Sequence, residues 1–141
     1  MPTIQRIDHL AILVEDIEQA TAFWRDGLGM NVAHQQEVPA EQARIAFLPV
    51  GDGEIELVQP TTPDSGLRRY LEKRGPGMHH VCLQVDDIEG MLAQIKAGGF
   101  ELINETPRTA ADGKKYAFIH PRSAGGVLVE LYELPILKPA S

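Results

Sequence analysis

The sequence has almost no cysteine, and that absence excludes more than any residue present. Cys82 is the only one in 141 residues, so no internal disulfide can form, which suits a reducing cytosol and a cytoplasmic protein. No Cys-x-x-Cys or mixed Cys/His cluster exists, so a structural zinc site of the usual kind is excluded. Long apolar runs are missing too: nothing approaches the roughly 20 residues that a membrane-spanning helix needs. The start, Met1-Pro2-Thr3-Ile4, has no basic segment leading into an apolar one, so no signal peptide is visible. Positive charge is also scarce. Thirteen Lys and Arg stand against twenty Asp and Glu, for a net charge of −7. That balance argues against a nucleic-acid partner, which would require phosphates to be neutralised.

The deficit is uneven. Up to Leu67 there are three basic residues against eleven acidic ones, and from Arg68 onward ten against nine. Arg108, Lys114, Lys115 and Arg122 lie close together in the second half. They form either a solvated face, the ordinary fate of charged side chains, or a landing site for an anionic ligand.

What is present is a repeat. Ile7-Asp8-His9-Leu10-Ala11 into Val14-Glu15-Asp16-Ile17 returns as Met78-His79-His80-Val81-Cys82 into Val85-Asp86-Asp87-Ile88, 71 residues later. His9 falls on His80, Val14 on Val85, Asp16 on Asp87 and Ile17 on Ile88. Residues 4–14 read as a strand, and Asp16, with Gln19 behind it, caps a helix running to about Gly27. Strands are expected over 30–38, 43–50 and 54–59, with Gly51-Asp52-Gly53 as a hairpin turn. The Pro60–Gly66 stretch is loop-like, and Asp64 is placed to cap a short helix over 67–74. The plan then repeats: a strand over 78–85, a helix capped by Asp87 and stopped at Gly98-Gly99, and strands over 101–104, 116–120 and 127–133. The tail from Leu134 to Ser141 carries little pattern.

The expected fold is therefore α+β: two tandem βαβββ modules, 4–60 and 78–134, joined by a linker and short helix over 61–77. Together they make one domain over 1–141, with a cup-shaped mixed sheet and helices outside. Neither module alone buries both faces of its sheet.

Strand alternation puts His80, Cys82 and Gln84 on one face, with Val81, Leu83 and Val85 on the other. His9, Ala11 and Leu13 are the matching set. The last strand of each half holds a glutamate between aliphatic residues: Ile55-Glu56-Leu57 and Val129-Glu130-Leu131. Glu56 follows His9 by 47 residues and Glu130 follows His80 by 50. A lone strand histidine is usually a hydrogen-bonded core residue, and a lone strand glutamate usually faces water. Both readings weaken when the same two residue types recur at matching places in two halves. Two His and two Glu form a mixed nitrogen/oxygen site suited to a divalent cation such as Mn, Co, Ni, Fe or Zn. Without a cation, burying two carboxylates would be unfavourable by several kcal/mol.

The chain resembles the vicinal oxygen chelate superfamily, which includes glyoxalase I, bleomycin-resistance proteins, extradiol dioxygenases and the methylmalonyl-CoA epimerases. The likeness to the epimerases is the greatest. It rests on Ile7-Asp8-His9-Leu10-Ala11, Gly53-Glu54-Ile55-Glu56-Leu57, Pro63-Asp64-Ser65, Leu71-Glu72-Lys73-Arg74-Gly75 into Gly77-Met78-His79-His80, Leu102-Ile103-Asn104-Glu105, and His120-Pro121-Arg122-Ser123 into Gly125–Leu131. The family's metal positions fall on His9, Glu56, His80 and Glu130. The resemblance implies a metal-dependent epimerase of methylmalonyl-CoA or a related 2-substituted acyl-CoA, working as a homodimer through an enolate.

Glu130 and Glu56 are then the candidate acid–base groups. Some epimerases carry a glutamate at the position that Arg44 matches here, and arginine is no base at neutral pH. Either Glu56 or Glu41 then takes that role, or the reaction is not a two-base epimerisation. Lys114, Lys115, His120, Arg122 and Ser123 are the candidate substrate-binding residues. A glyoxalase I-type lactoylglutathione lyase is the first rival, but Ser123-Ala124-Gly125-Gly126 stands where glyoxalases tend to carry an Asp-Pro-Asp-Gly turn. A non-catalytic binding protein is the second, and such proteins usually lack the full ligand set. An extradiol dioxygenase would leave Glu56 surplus.

Overall fold

The computed structural model describes residues 1–135, so most of the expected tail, residues 136–141, lies outside the described residues. Among these residues, eight strands and three α-helices give an α+β fold. In order they are β1 (Ile4–Leu13), α1 (Ile17–Thr21), β2 (His34–Val38), β3 (Ala43–Val50), β4 (Gly53–Pro60), α2 (Gly66–Arg74), β5 (Gly77–Val85), α3 (Ile88–Ala97), β6 (Arg108–Thr109), β7 (Lys115–Ile119) and β8 (Leu128–Glu133). Among the described residues, no helix is long and apolar enough to cross a membrane.

The chain divides into two compact units, and the division does not follow the linker. One unit is His9–His79; the other joins Met1–Asp8 to the chain from His80 onward. In the first unit the strands run β2-β3-β4-β1. β1 and β4 are parallel, and the other pairs are antiparallel. The second unit has β5-β8-β7-β6, with β5 and β8 parallel and the rest antiparallel. The start of β1 lies beside β5, where the Thr3 N–H and hydroxyl both donate to the Asp86 carboxylate, at 2.8 and 2.9 Å. The repeated sequence thus gives a repeated hydrogen-bond plan.

Each sheet carries its helices where the alternation places apolar side chains. In the first unit Ala46, Leu48 and Leu57 pack with Ile17, Ala20 and Trp24. The opposite face packs Ala11, Leu13, Val58 and Ile45 against Leu71 of α2. In the second unit Val85, Ala117 and Leu131 pack with Ile88, Met91 and Leu92 of α3.

The helix starts are duplicated in detail. Asp16 accepts from the Gln19 N–H at 3.2 Å, and Asp87 from the Gly90 N–H at 3.0 Å. The next orphan amide in each helix finds a side chain of the last strand: the Ile17 N–H donates to Gln59 Oε1 and the Ile88 N–H to Glu133 Oε1, both at 2.9 Å. Asp87→Ala is expected to lower unfolding stability by about 1 kcal/mol in urea titrations, the usual effect of losing an N-cap.

Four expectations are corrected. The helix beginning at Ile17 is α-helical only to Thr21 and continues as a π turn over Ala22–Gly27. There the Leu28 N–H donates to Phe23 O, and Gly29 closes the turn with φ +78°. The strand expected from Met30 begins at His34, because Met30 and Val32 pack into the core instead of extending the ladder. α2 is capped by Ser65, not Asp64: the Ser65 hydroxyl accepts from the Arg68 N–H at 3.0 Å. The expected strand over 101–104 is reduced to one bridge, Leu102 to Ile119. Asn104 Oδ1 accepts the Phe118 N–H at 2.8 Å, so a side chain takes the place of the next backbone acceptor.

Candidate functional site

In the first unit His9 Nδ1 lies 3.3 Å from Glu56 Oε2, with the two side chains only 10% and 12% exposed. In the second unit His80 Nε2 lies 3.5 Å from Glu130 Oε1, with both side chains 16% exposed. The register explains why each pair meets. Glu56 is the cross-strand partner of Ala11, two residues past His9, on the same pleat face. Glu130 is the partner of Cys82, two residues past His80. Histidines 71 residues apart and glutamates 74 apart thus meet at the same register in each unit.

Both separations are long for a charge-assisted hydrogen bond, which runs about 2.7–2.9 Å. They do match neighbouring ligand atoms on one ion: bonds of about 2.0–2.2 Å meeting near tetrahedral angles hold adjacent donors about 3.3–3.5 Å apart. An imidazole nitrogen beside a largely desolvated carboxylate is also the right chemistry for a borderline divalent cation. The residues present fit such a group.

A second feature of each pair escaped the sequence reading. Glu56 has Phe47 on its other side, and Glu130 has Phe118. The phenylalanines share the glutamates' face and are half-buried. Phe47 stacks on His34 at 4.4 Å between ring centres, and Phe118 meets His80 edge-on at 6.5 Å. Each carboxylate therefore has an aromatic wall that limits its access to water. Phe47 was legible: the two-residue turn sets Val50 opposite Gly53, which counts back to Phe47 opposite Glu56. Phe118 was not, because an irregular connection separates β7 from β8.

The units diverge farther along the strands. Leu13 and Val58 are register partners buried under α2. The matching partners of the second unit are Gln84 and Tyr132, which form a polar network with the start of β1. The Tyr132 hydroxyl donates to Asp8 Oδ1 at 2.8 Å and also lies 3.1 Å from Gln84 Oε1. Arg6 donates to Gln84 Oε1 and to Asp8 Oδ1, each at 2.8 Å. Burial, and then the Asp8 carboxylate, push the Tyr132 pKa far above the usual phenol value, so its hydroxyl remains a donor at any working pH.

The remaining candidates separate. Lys114 places its ammonium 4.7 Å from the centre of the Tyr132 ring, whose strand alternation matches Glu130. Lys115 is directed to the α3 side, where Glu89 holds it at 3.1 Å. His120 Nδ1 accepts from the Arg122 N–H at 3.0 Å, and the Ser123 hydroxyl accepts from the Glu101 N–H at 2.8 Å. The Arg122 guanidinium lies 3.6 Å from the Glu101 carboxylate. His120, Arg122 and Ser123 thus organise a 3₁₀ turn over Pro121–Ser123.

Arg44 is on the pleat face opposite Phe47 and Glu56 and engages Gln35 and Glu37. Glu41 ends an exposed 3₁₀ turn, followed by Gln42 at φ +54°, the one non-glycine residue with positive φ among the described residues. His79 packs edge-on against Tyr70 at 4.9 Å, and burial lowers its pKa. Cys82 is buried.

Residues 8–118 match the sequence model of the glyoxalase/bleomycin resistance protein/dioxygenase superfamily. An uncharacterized Bacillus subtilis protein is 38% identical over 130 residues, covering 92% of this chain and 93% of that one. An ethylmalonyl-CoA/methylmalonyl-CoA epimerase of Cereibacter sphaeroides is 35% identical over 133 residues, 93% of this chain and 99% of that one. Among solved structures, the methylmalonyl-CoA epimerase of Mycobacterium tuberculosis superposes with a TM-score of 0.79 at 33% identity, covering 94% of this chain and 90% of that one.

Proposed function

The chain belongs to the glyoxalase/bleomycin resistance protein/dioxygenase superfamily, and from that premise we propose that it is a metal-dependent epimerase of methylmalonyl-CoA or a related 2-substituted acyl-CoA. The observation that carries this reading is the buried His–Glu pair, repeated at one register in both units of a chain whose relatives include such epimerases. His9, Glu56, His80 and Glu130 are taken to hold a single divalent cation, of the Co, Mn, Ni, Zn or Fe type. When bound, the ion supplies Lewis acidity that favours negative charge on the substrate's carbonyl and carboxylate oxygens.

The α-carbon of such a substrate lies between a thioester and a carboxylate, and its C–H bond is the one that breaks. Glu130 would hold the cation through Oε1, 3.5 Å from His80 Nε2, and its other oxygen takes the proton, leaving an enolate. A second acid–base group returns a proton to the opposite face of the same carbon, which inverts the centre. Glu56 or Glu41 supplies it, since Arg44 is both cationic and turned away. Phe118 beside Glu130 limits hydration of the carboxylate and so favours its role as a base. Lys114, held over Tyr132, is the cation proposed to meet the substrate on that face. The active species on this reading is a cytoplasmic homodimer.

The test is exchange. Metal-loaded protein with methylmalonyl-CoA in deuterium oxide is expected to wash out the α-proton signal in the NMR spectrum. No exchange, combined with turnover of the methylglyoxal–glutathione adduct, would replace this reading with a lactoylglutathione lyase. Inertness toward both would leave a binding protein.

A further inference from the structure

A coenzyme A ester is a polyanion whose pyrophosphate and 3′-phosphate lie far from its reacting carbon. A protein of net charge −7 repels such a ligand unless it keeps cations for it in one place. Most cations of this chain are already engaged with carboxylates, as in Lys115–Glu89, Arg122–Glu101 and Arg44–Glu37. Among the described residues Arg108 and Lys114 also stand outside such pairs, but α2 holds the densest group of cations that does. Its nine residues hold Arg68, Arg69, Lys73 and Arg74 against a single carboxylate, Glu72. Arg68 faces Glu15 at 3.5 Å, but among the described residues no carboxylate is ion-paired with Arg69, Lys73 or Arg74.

The helix is anchored so that these cations stay outward. Leu71 is buried against Ala11, Leu13 and Val58, with Leu67 and Tyr70 packed beside it. Ala11 is the register partner of Glu56, so α2 covers the sheet face that carries the His9–Glu56 pair. Arg69 and Lys73 are exposed and one helical turn apart, on one side of the helix. The Arg69 guanidinium donates to the Asp64 carbonyl, which fixes its stem beside the helix start. Next to them the Arg74 guanidinium lies 5.5 Å from the Tyr70 ring centre. The result is a fixed cluster of positive charge at the edge of the proposed catalytic face.

We infer that Arg69 and Lys73 of α2 form the subsite for the nucleotide phosphates of the acyl-CoA substrate. The inference rests on the acyl-CoA reading above and adds to it which element holds the nucleotide end. It moves that task away from the Lys115 and Arg122 region, where the cations are neutralised by Glu89 and Glu101.

The experiment compares two methylmalonyl thioesters, that of coenzyme A and that of pantetheine, which lacks the nucleotide. In the Arg69→Ala/Lys73→Ala protein the ratio of kcat/KM for the CoA ester to that for the pantetheine ester is expected to fall about tenfold, with the change in KM. The ratio should also lose part of its dependence on salt. An unchanged ratio, or equal losses with both esters, overturns the inference while leaving the epimerase reading intact. If the unaltered protein turns over neither ester, the reaction assignment has failed, and calorimetry with adenosine 3′,5′-bisphosphate judges the subsite separately. Binding that disappears in the double variant supports it, and absence of binding to the unaltered protein overturns it.

Discussion

Glu130→Gln is expected to lower kcat for epimerisation by about 10²–10⁴-fold, the range associated with removing a positioned general base. Glutamine keeps the shape of the side chain and one oxygen for contact with His80, so the fold is expected to remain. It loses the negative charge that makes the carboxylate both a proton acceptor and a metal ligand. The two losses are separable by repeating the assay at saturating metal. A base is not restored by added cation, whereas a pure ligand effect is. Full activity in Glu130→Gln would sink the assignment of Glu130 as the acid–base group. Glu41→Gln and Glu56→Gln, compared in the same assay, decide which carboxylate works from the other face: isotope washout without inversion is the signature of losing the second group.

His9→Ala and His80→Ala are each expected to weaken divalent-cation binding by more than about 100-fold, since loss of a ligand exceeds the 10–100-fold effect typical of its supporting partners. Titration calorimetry with Mn or Co reads this without any substrate. Because the two histidines belong to different compact units, the stoichiometry is decisive. A cation shared by both pairs gives a single binding event in the native protein, abolished by either substitution. Independent sites would give two events, with each variant losing only its own. Thermal stability follows the same logic, because an ion that binds only the folded chain raises the melting temperature by an amount that grows with the logarithm of its concentration over its dissociation constant. Removal by chelator should lower it in the native protein and change it little in either variant.

The portion of this architecture legible in the sequence is the portion written twice. His9 and His80, Glu56 and Glu130, and the Asp16 and Asp87 caps were found because each had a counterpart, and the structure gives both members the same neighbours. Local turn chemistry was legible as well, since Gly51-Asp52 fixes the β3–β4 register unaided. Choices between adjacent, equally capable residues were not: Asp64 and Ser65 can both cap α2, and tertiary packing selects Ser65. Contacts that depend on long connections stayed hidden for the same reason. Phe118 meets Glu130 only after the chain has passed through the Pro121–Ser123 turn. The Arg6–Asp8–Gln84–Tyr132 network joins positions up to 126 residues apart and has no apolar pattern to announce it.

That network has a consequence for how the protein comes into being. Asp8 and Arg6 are synthesised long before Tyr132, yet the hydrogen bonds that join them to its hydroxyl span 124 and 126 residues. During synthesis the His9–His79 unit can close on itself while residues 1–8 wait without their sheet. The opening strand is thus half settled early and half settled last, and the junction between the two halves falls at Asp8 and His9. Contacts so distant in sequence slow folding, and the unfinished edge they leave is a template for wrong pairing until β5 arrives.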